Sequence, residues 1–283
     1  MAAPDRDIAV AVLRGAPAVS QPVIKVRGRE AFPFEDQLAV EEPLEIRLGG
    51  RSLAVTMRTP GEDEELVAGF LFSERIIEGA GDLDVIAHYR SLDDPEAKNV
   101  INVLLKGDVQ IFQERLRRNF LTSSSCGLCG KVALEAIKLS LPPVESDFTI
   151  PLELLYTLEG EFGAAQATFA RTGGLHAAGL FDKEGRLLSL REDIGRHNAV
   201  DKVIGHMLLS GRLPLDRHIL MVSGRASFEI MQKALAARIP MVAAVSAPSS
   251  LAVQLASECH MTLVGFLRKG CLNIYTGSHR ITP

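Results

Sequence analysis

The chain is informative first in what it does without. Its 283 residues carry 31 Lys and Arg against 35 Asp and Glu, a net charge of −4. There is no broad basic field of the kind that holds nucleic acid or an acidic membrane surface, so neither partner is expected. No stretch stays apolar for the length of a bilayer span. The short apolar run Ile8 to Leu13 follows Asp5 and Asp7 instead of a basic segment, which is not the pattern of a secretory leader. Internal repeats and low-complexity tracts are absent. Neither a Walker A loop nor a G-x-G-x-x-G is present, which disfavours P-loop hydrolysis and Rossmann dinucleotide binding. None of the seven His residues opens an H-x-E, and Ser125 stands where a zinc nucleobase deaminase has proline before its C-x-x-C. Cysteine is sparse: Cys126, Cys129, Cys259 and Cys271. With no secretory pattern, the expectation is a soluble cytoplasmic protein with reduced thiols.

What is there describes a globular chain. Hydrophobic residues make up 47% and charged residues 23%, enough for a real core in one large domain or two ordinary ones. Residues 1 to about 20 read as a flexible tail, with order from near Val23. Leu44, Ile46 and Leu48, then Leu53, Val55 and Met57, alternate about Gly49-Gly50 and predict a hairpin. Thr59-Pro60-Gly61-Glu62 reads as a capping box opening a helix with the stripe Leu66, Val67, Phe70 and Leu71. Strands are predicted over Val85–Tyr89 and Val100–Leu105, and a helix over Val109–Phe120. Together these suggest a smaller α+β domain over 21–146. Leu141-Pro142-Pro143-Val144-Glu145-Ser146 is the candidate linker. Beyond it, over 147–283, a helix from Pro151 to Phe162 precedes a hairpin, Leu175–Phe181 with Leu187–Leu190. Strands at His218–Val222, Met241–Val245, Thr262–Phe266 and Leu272–Tyr275 then alternate with helices striped by Val200, Val203, Ile204 and Met207, by Phe228, Met231 and Leu235, and by Ser249–Glu258. Short apolar strands need cover on both faces, so the fold class is α/β, a three-layer sandwich with a mixed sheet.

The stretch with the most distinctive chemistry is Ser123 to Lys131, which holds Cys126-Gly127-Leu128-Cys129-Gly130 ahead of a helical run to Leu139. A loop at a helix N-terminus, with Lys131 beside it, favours thiolate over thiol. A thiolate serves either sulfur chemistry or metal binding. A closed zinc site needs four ligands, and only Cys126 and Cys129 form a well-placed pair; Cys259-His260 is an awkward chelate, so no zinc is expected. Cys259 and Cys271 lie in apolar contexts and read as small core residues.

Two loops follow apolar strands: Ser223-Gly224-Arg225 and Ser246-Ala247-Pro248-Ser249-Ser250. Each should present backbone N–H groups and hydroxyls at a helix N-terminus, with Arg225 available to a phosphate. Taken singly, the serines would be ordinary N-caps. As a pair on adjacent strand-to-helix turns, they suggest an anionic ligand at the carboxyl ends of the strands. In Arg191 to Asn198, His197 shares a helix face with Asp201 four residues on, either as a ligand-facing His oriented by Asp201 or as part of a structural knot. His176, after Thr172-Gly173-Gly174, reads more simply as a partly buried structural residue.

Those motifs resemble one family. Ser125–Gly130, Thr172–Ala178, Glu192–Lys202, Ser223–Glu229, Ser246–Ala252, and Gly265–Arg268 with Asn273–Thr276 are similar to the formate dehydrogenase accessory sulfurtransferases, FdhD, from about residue 20 to the end. The resemblance implies a cytidine-deaminase-like fold for the second half without the deaminase zinc. It implies a sulfur carrier that takes sulfur from a cysteine desulfurase as a persulfide on Cys126 and passes it to Mo-bis(molybdopterin guanine dinucleotide), or its tungsten counterpart, for formate dehydrogenase. Cys129 would assist or be dispensable. By likeness, Phe266, Leu267, Arg268, Lys269, Gly270 and Cys271 help bind that substrate, joining Ser223, Gly224, Arg225, Ser246, Ser249 and His197; GDP-like nucleotides would serve as analogues. A homodimer is expected. A metal-binding interaction module and a nucleotide-binding chaperone remain the competing classes.

Overall fold

The computed structural model describes residues 15–89, 99–106 and 141–283. The cysteine loop with Cys126 and Cys129, and the helices expected over Val109–Phe120 and Lys131–Leu139, lie outside the described residues.

The chain opens with an antiparallel ribbon of β1 (Ala18–Arg27) and β2 (Glu30–Ala39). β1 begins ahead of Val23, where the sequence first reads as ordered. A four-stranded sheet follows, in the order β4-β3-β6-β5, from β3 (Glu42–Leu48), β4 (Arg51–Arg58), β5 (Leu83–His88) and β6 (Val100–Leu105). Gly49 and Gly50 both take positive φ, 57° and 79°, the turn that matches the twist of a tight hairpin.

Helix α1 (Asp63–Ser73) starts later than the capping-box reading expects. Gly61 and Glu62 take φ of 111° and 50°, which breaks the turn that would join Thr59 to a helix. Thr59 instead bonds across the molecule. Its N–H donates to Asp193 Oδ2 at 3.1 Å, its hydroxyl accepts from the Ile194 N–H at 3.2 Å, and its carbonyl accepts from Lys202 Nζ at 3.0 Å. In the helix stripe, Leu66, Val67 and Leu71 are buried, while Phe70 is only partly so.

The segment after residue 140 is pinned in place. Val144 is buried and its N–H donates to the Cys259 carbonyl, and the Arg238 guanidinium donates to the carbonyls of Pro142 and Pro143. The Pro-rich stretch is therefore held against the body of the protein and does not act as a free linker.

The remainder builds on a six-stranded sheet in the order β13-β12-β11-β10-β8-β9. Its strands are β8 (His176–Phe181), β9 (Leu187–Asp193), β10 (Ile219–Val222), β11 (Met241–Ala244), β12 (Thr262–Arg268) and β13 (Cys271–Thr276). β10, β11 and β12 run parallel, and β8, β9 and β13 pair antiparallel. The helices are α2 (Leu152–Ala164), α3 (Ala167–Thr172), α4 (Arg196–Leu209), α5 (Phe228–Ala236) and α6 (Ser250–Glu258). Short strands β7 (Ile150–Pro151) and β14 (Ile281–Thr282) pair in parallel.

Because side chains alternate along a strand, the sheet feeds two cores. Leu220, Val222, Val242 and Ala244 join the core with α1, α4, α5 and α6, whereas Ile219, Met221, Met241 and Ala243 face the core with Leu155, Leu158 and Phe162 of α2. Both faces are covered, which is why these strands are uninterrupted apolar runs. The first core also takes in Leu44, Ile46, Ile101 and Val103 of the four-stranded sheet.

The join between α1 and α4 depends on two glycines. A Cβ on Gly69 would lie 1.9 Å from the Asp201 carbonyl oxygen, and one on Gly205 would lie 1.8 Å from that of Glu65. The helices cross with their backbones in contact. Arg191 on β9 adds a two-pronged ion pair to Glu65 of α1, at 2.6 and 2.9 Å. Among the described residues no helix is long and apolar enough to cross a membrane.

Candidate functional site

The carboxyl ends of β10, β11 and β12 lie side by side, and the loops that leave them are stitched into one row. The Val245 N–H donates to the Val222 carbonyl, Ala226 bridges Pro248 in parallel, and the Ser249 N–H donates to the Ala226 carbonyl. The Phe266 N–H donates to the Ser246 carbonyl at 3.1 Å. Gly265 permits that approach, since a Cβ there would lie 3.0 Å from both Pro248 Cδ and Tyr275 Cε2. The structure thus gathers Ser223–Arg225, Ser246–Ser249 and Phe266 into one strand-end row.

Within that row the residues divide by use. The Ser223 hydroxyl accepts from the Ala177 N–H, and its own N–H donates to the Ala177 carbonyl, so Ser223 stitches β10 to β8. Ser249 caps α6, accepting from the Ala252 N–H at 3.2 Å. Arg225 is exposed and bonds to no described residue. Gly224 lies against His176, whose Nδ1 would be 3.3 Å from an added Cβ. In the β12–β13 hairpin, Lys269 and Gly270 take the two positive-φ turn positions. Arg268, Lys269, Gly270 and Cys271 are exposed there, and the Arg268 guanidinium lies over the Phe266 ring at 5.7 Å. Leu267 is buried in the α2-side core, so that position offers a ligand backbone only. Cys259 is buried as expected, but Cys271 is exposed: it opens an edge strand on the turn, away from either core.

His197 sits in the first turn of α4, with Nε2 3.4 Å from the Ser227 hydroxyl and 3.9 Å from Glu229. Burial lowers its pKa to about 4, with the positive charges of Arg196 and Lys233 adding to the effect, so the ring is neutral near pH 7. His176 is likewise lowered, first by burial and then by Arg196. Asp201 does not orient His197. It turns into the core, where it accepts from the Ser73 hydroxyl at 2.8 Å and from Lys233 Nζ at 2.9 Å. Burial opposes the charge on Lys233, yet Asp201 and Glu74 together raise its pKa.

A second lock, unseen in the sequence, fixes the start of α4. Asp193 and Lys202 are fully buried and meet at 2.9 Å. Asp193 Oδ1 also accepts from the Gly195 N–H and the Asn198 amide. The spacing of Asp193, Asn198 and Lys202 around a helix start was the available signal. The partner at Thr59 lies far away in sequence and gave none. Among the described residues, no group of three His, Cys, Asp or Glu side chains is placed to hold a metal ion.

A mixed α/β sheet with a hydrogen-bonded row of loops at the ends of its parallel strands defines the class of this fold, one in which ligands commonly bind beyond strand ends. The chain belongs to the FdhD/NarQ family, whose profile matches residues 39–282. It is 51% identical over 268 residues to a protein of Streptomyces avermitilis named sulfur carrier protein FdhD, covering 92% of this chain and 94% of that one. A Nocardia farcinica protein of the same name is 52% identical over 251 residues, covering 87% and 88%. A crystal structure from Desulfotalea psychrophila, described as a formate dehydrogenase accessory protein, superposes with a TM-score of 0.74 at 26% identity, over 94% of this chain and all of that one.

Proposed function

We propose that this protein is a cytoplasmic sulfur carrier for formate dehydrogenase. The thiolate of Cys126 attacks the outer sulfur of a cysteine desulfurase persulfide. The desulfurase S–S bond breaks, its cysteine leaves as a thiolate, and Cys126 holds the persulfide, with no net change of oxidation state. Delivery of sulfur as hydrosulfide needs two electrons. Cys129 supplies them by attacking the inner sulfur, which leaves a Cys126–Cys129 disulfide. The acceptor, Mo-bis(molybdopterin guanine dinucleotide), is a substrate that rests on the strand-end row.

The observation that carries this reading is the likeness, over nearly the whole of both chains, to the Streptomyces avermitilis sulfur carrier. The row supports it physically. Exposed Arg225, Arg268 and Lys269 suit an anionic, phosphate-bearing molecule, and guanidinium groups match phosphate in a fork. Neutral His197 provides a ring that hydrogen-bonds without adding charge. On this reading Cys126 and Cys129 stay free of zinc. A cytidine-deaminase-like sandwich is supported by the mixed sheet between two helical layers, over the 147–283 unit. A homodimer is supported by Ile24 and Val26, which are 66% and 63% exposed on the β1–β2 ribbon. The test is a strain whose only copy carries Cys126→Ala. The fold should persist and formate dehydrogenase activity should vanish; full activity would reject the assignment.

A further inference from the structure

Beyond the opposite end of the sheet from the strand-end row lies a second polar site. β12 begins there at Thr262, β13 ends there at Thr276, and Gly277 leads into the turn that carries His279 and Arg280. A cavity of about 410 Å³ opens at this point, lined by Glu145, Ser257, His260, Tyr275, His279 and Arg280 among others.

Arg280 is the unusual member. It is only 3% exposed. Its Nε is buried and makes no hydrogen bond, and Nη1 reaches only Thr262 Oγ1, at the 3.5 Å limit. No carboxylate of the described residues lies within ion-pair distance of it. The carboxylate whose charge acts on it is Glu145, a largely exposed residue of the cavity lining engaged with His260 at 3.5 Å. A buried guanidinium is a costly group to leave unpaired, because it gives up hydration and five potential donors. The other buried cations among the described residues follow that rule. Arg58 meets Asp63, Lys202 meets Asp193, and Lys233 meets Asp201. Arg280 alone among these has no ion-pair partner among the described residues, and it lines a cavity that His279 and Ser257 also line, with Glu145 at its exposed side.

We infer that this cavity binds a tetrahedral oxyanion of the phosphate class, with the Arg280 guanidinium as its charged anchor and His279 and Ser257 as rim donors. The oxyanion supplies the directly bonded acceptor atoms that the described chain does not place on the Arg280 Nε. The ligand is either free phosphate or a phosphate group carried by a nucleotide. The site does not depend on the sulfur-carrier reading, since it lies away from the strand-end row.

Calorimetry with inorganic phosphate on the full chain tests it. Wild type should bind saturably, Arg280→Met should weaken binding at least tenfold, and Arg280→Lys should restore part of the loss. His279→Gln and Ser257→Ala, at exposed positions that leave folding intact, should each weaken binding several-fold and carry the test if Arg280→Met does not fold. GDP separates the two sources. Displacement of phosphate by GDP, lost in His279→Gln, identifies a nucleotide-borne group. Unchanged phosphate affinity in saturating GDP identifies the free ion. No saturable binding to wild type, or binding indifferent to these substitutions, overturns the site.

Discussion

Gly205→Ala gives a sharp test of how the two halves of the molecule are joined. Alanine gains about 1 kcal/mol over glycine in helix propensity, so on a free helix surface the change would stabilise. At Gly205 the new methyl would meet the Glu65 carbonyl at 1.8 Å and the Gly69 N–H nitrogen at 2.7 Å. Both obstacles are backbone, so α1 and α4 must separate. Overpacking costs about 1–3 kcal/mol, occasionally more, and a backbone obstacle belongs at the upper end. The net loss is then about 2 kcal/mol. A chain of 283 residues has an unfolding entropy of about 0.6 kcal/mol/K, so the melting temperature should fall by about 3 °C. Gly160→Ala is the control. It lies on an exposed part of α2 with nothing within 4 Å of an added Cβ, and should raise the melting temperature by about 1–2 °C. Differential scanning calorimetry reads both. A Gly205→Ala protein that melts at or above wild type would refute the close helix crossing.

Three further outcomes follow from particular contacts. Lys202→Met strands Asp193 in the core and should cost about 3–5 kcal/mol in urea unfolding; a loss under about 1 kcal/mol would mean the pair is not buried as described. Arg225→Ala should weaken GDP binding in calorimetry with no change in melting temperature, because Arg225 is exposed and bonds to no described residue; unchanged affinity would remove it from the row. His197 is held neutral down to about pH 4, against 6.5 for the free side chain. Between these values the unfolded chain binds the extra proton, so the contribution is complete above pH 6.5 and is lost as pH falls towards 4. His197→Gln should flatten stability across that window, and an unaltered pH slope would contradict the burial of the ring.

The sheet was legible because its strands are covered on both faces, leaving runs such as Ile219–Val222 and Met241–Ala244 with no polar interruption. The Gly49-Gly50 hairpin was legible through its turn chemistry. The β1–β2 ribbon was not, because its strands carry Pro22, Pro33 and many polar residues, tolerable only in strands whose edges are free. The start of α1 misled because Thr59 and Glu62 satisfy a capping pattern while Gly61 breaks the backbone. At the site, the two strand-end loops were recognisable from small polar residues after apolar strands. What Ser223 and Asp201 do was not, because their partners, Ala177, Ser73 and Lys233, are set by how the sheet and helices assemble.

The most direct test of the sulfur-carrier account is intact and peptide mass spectrometry of the purified protein after incubation with a cysteine desulfurase and cysteine. The account predicts one added sulfur atom on the peptide carrying Cys126, removable by a reductant, retained in Cys129→Ala and absent in Cys126→Ala. Sulfur found on Cys259 or Cys271, or none on the chain at all, would contradict it.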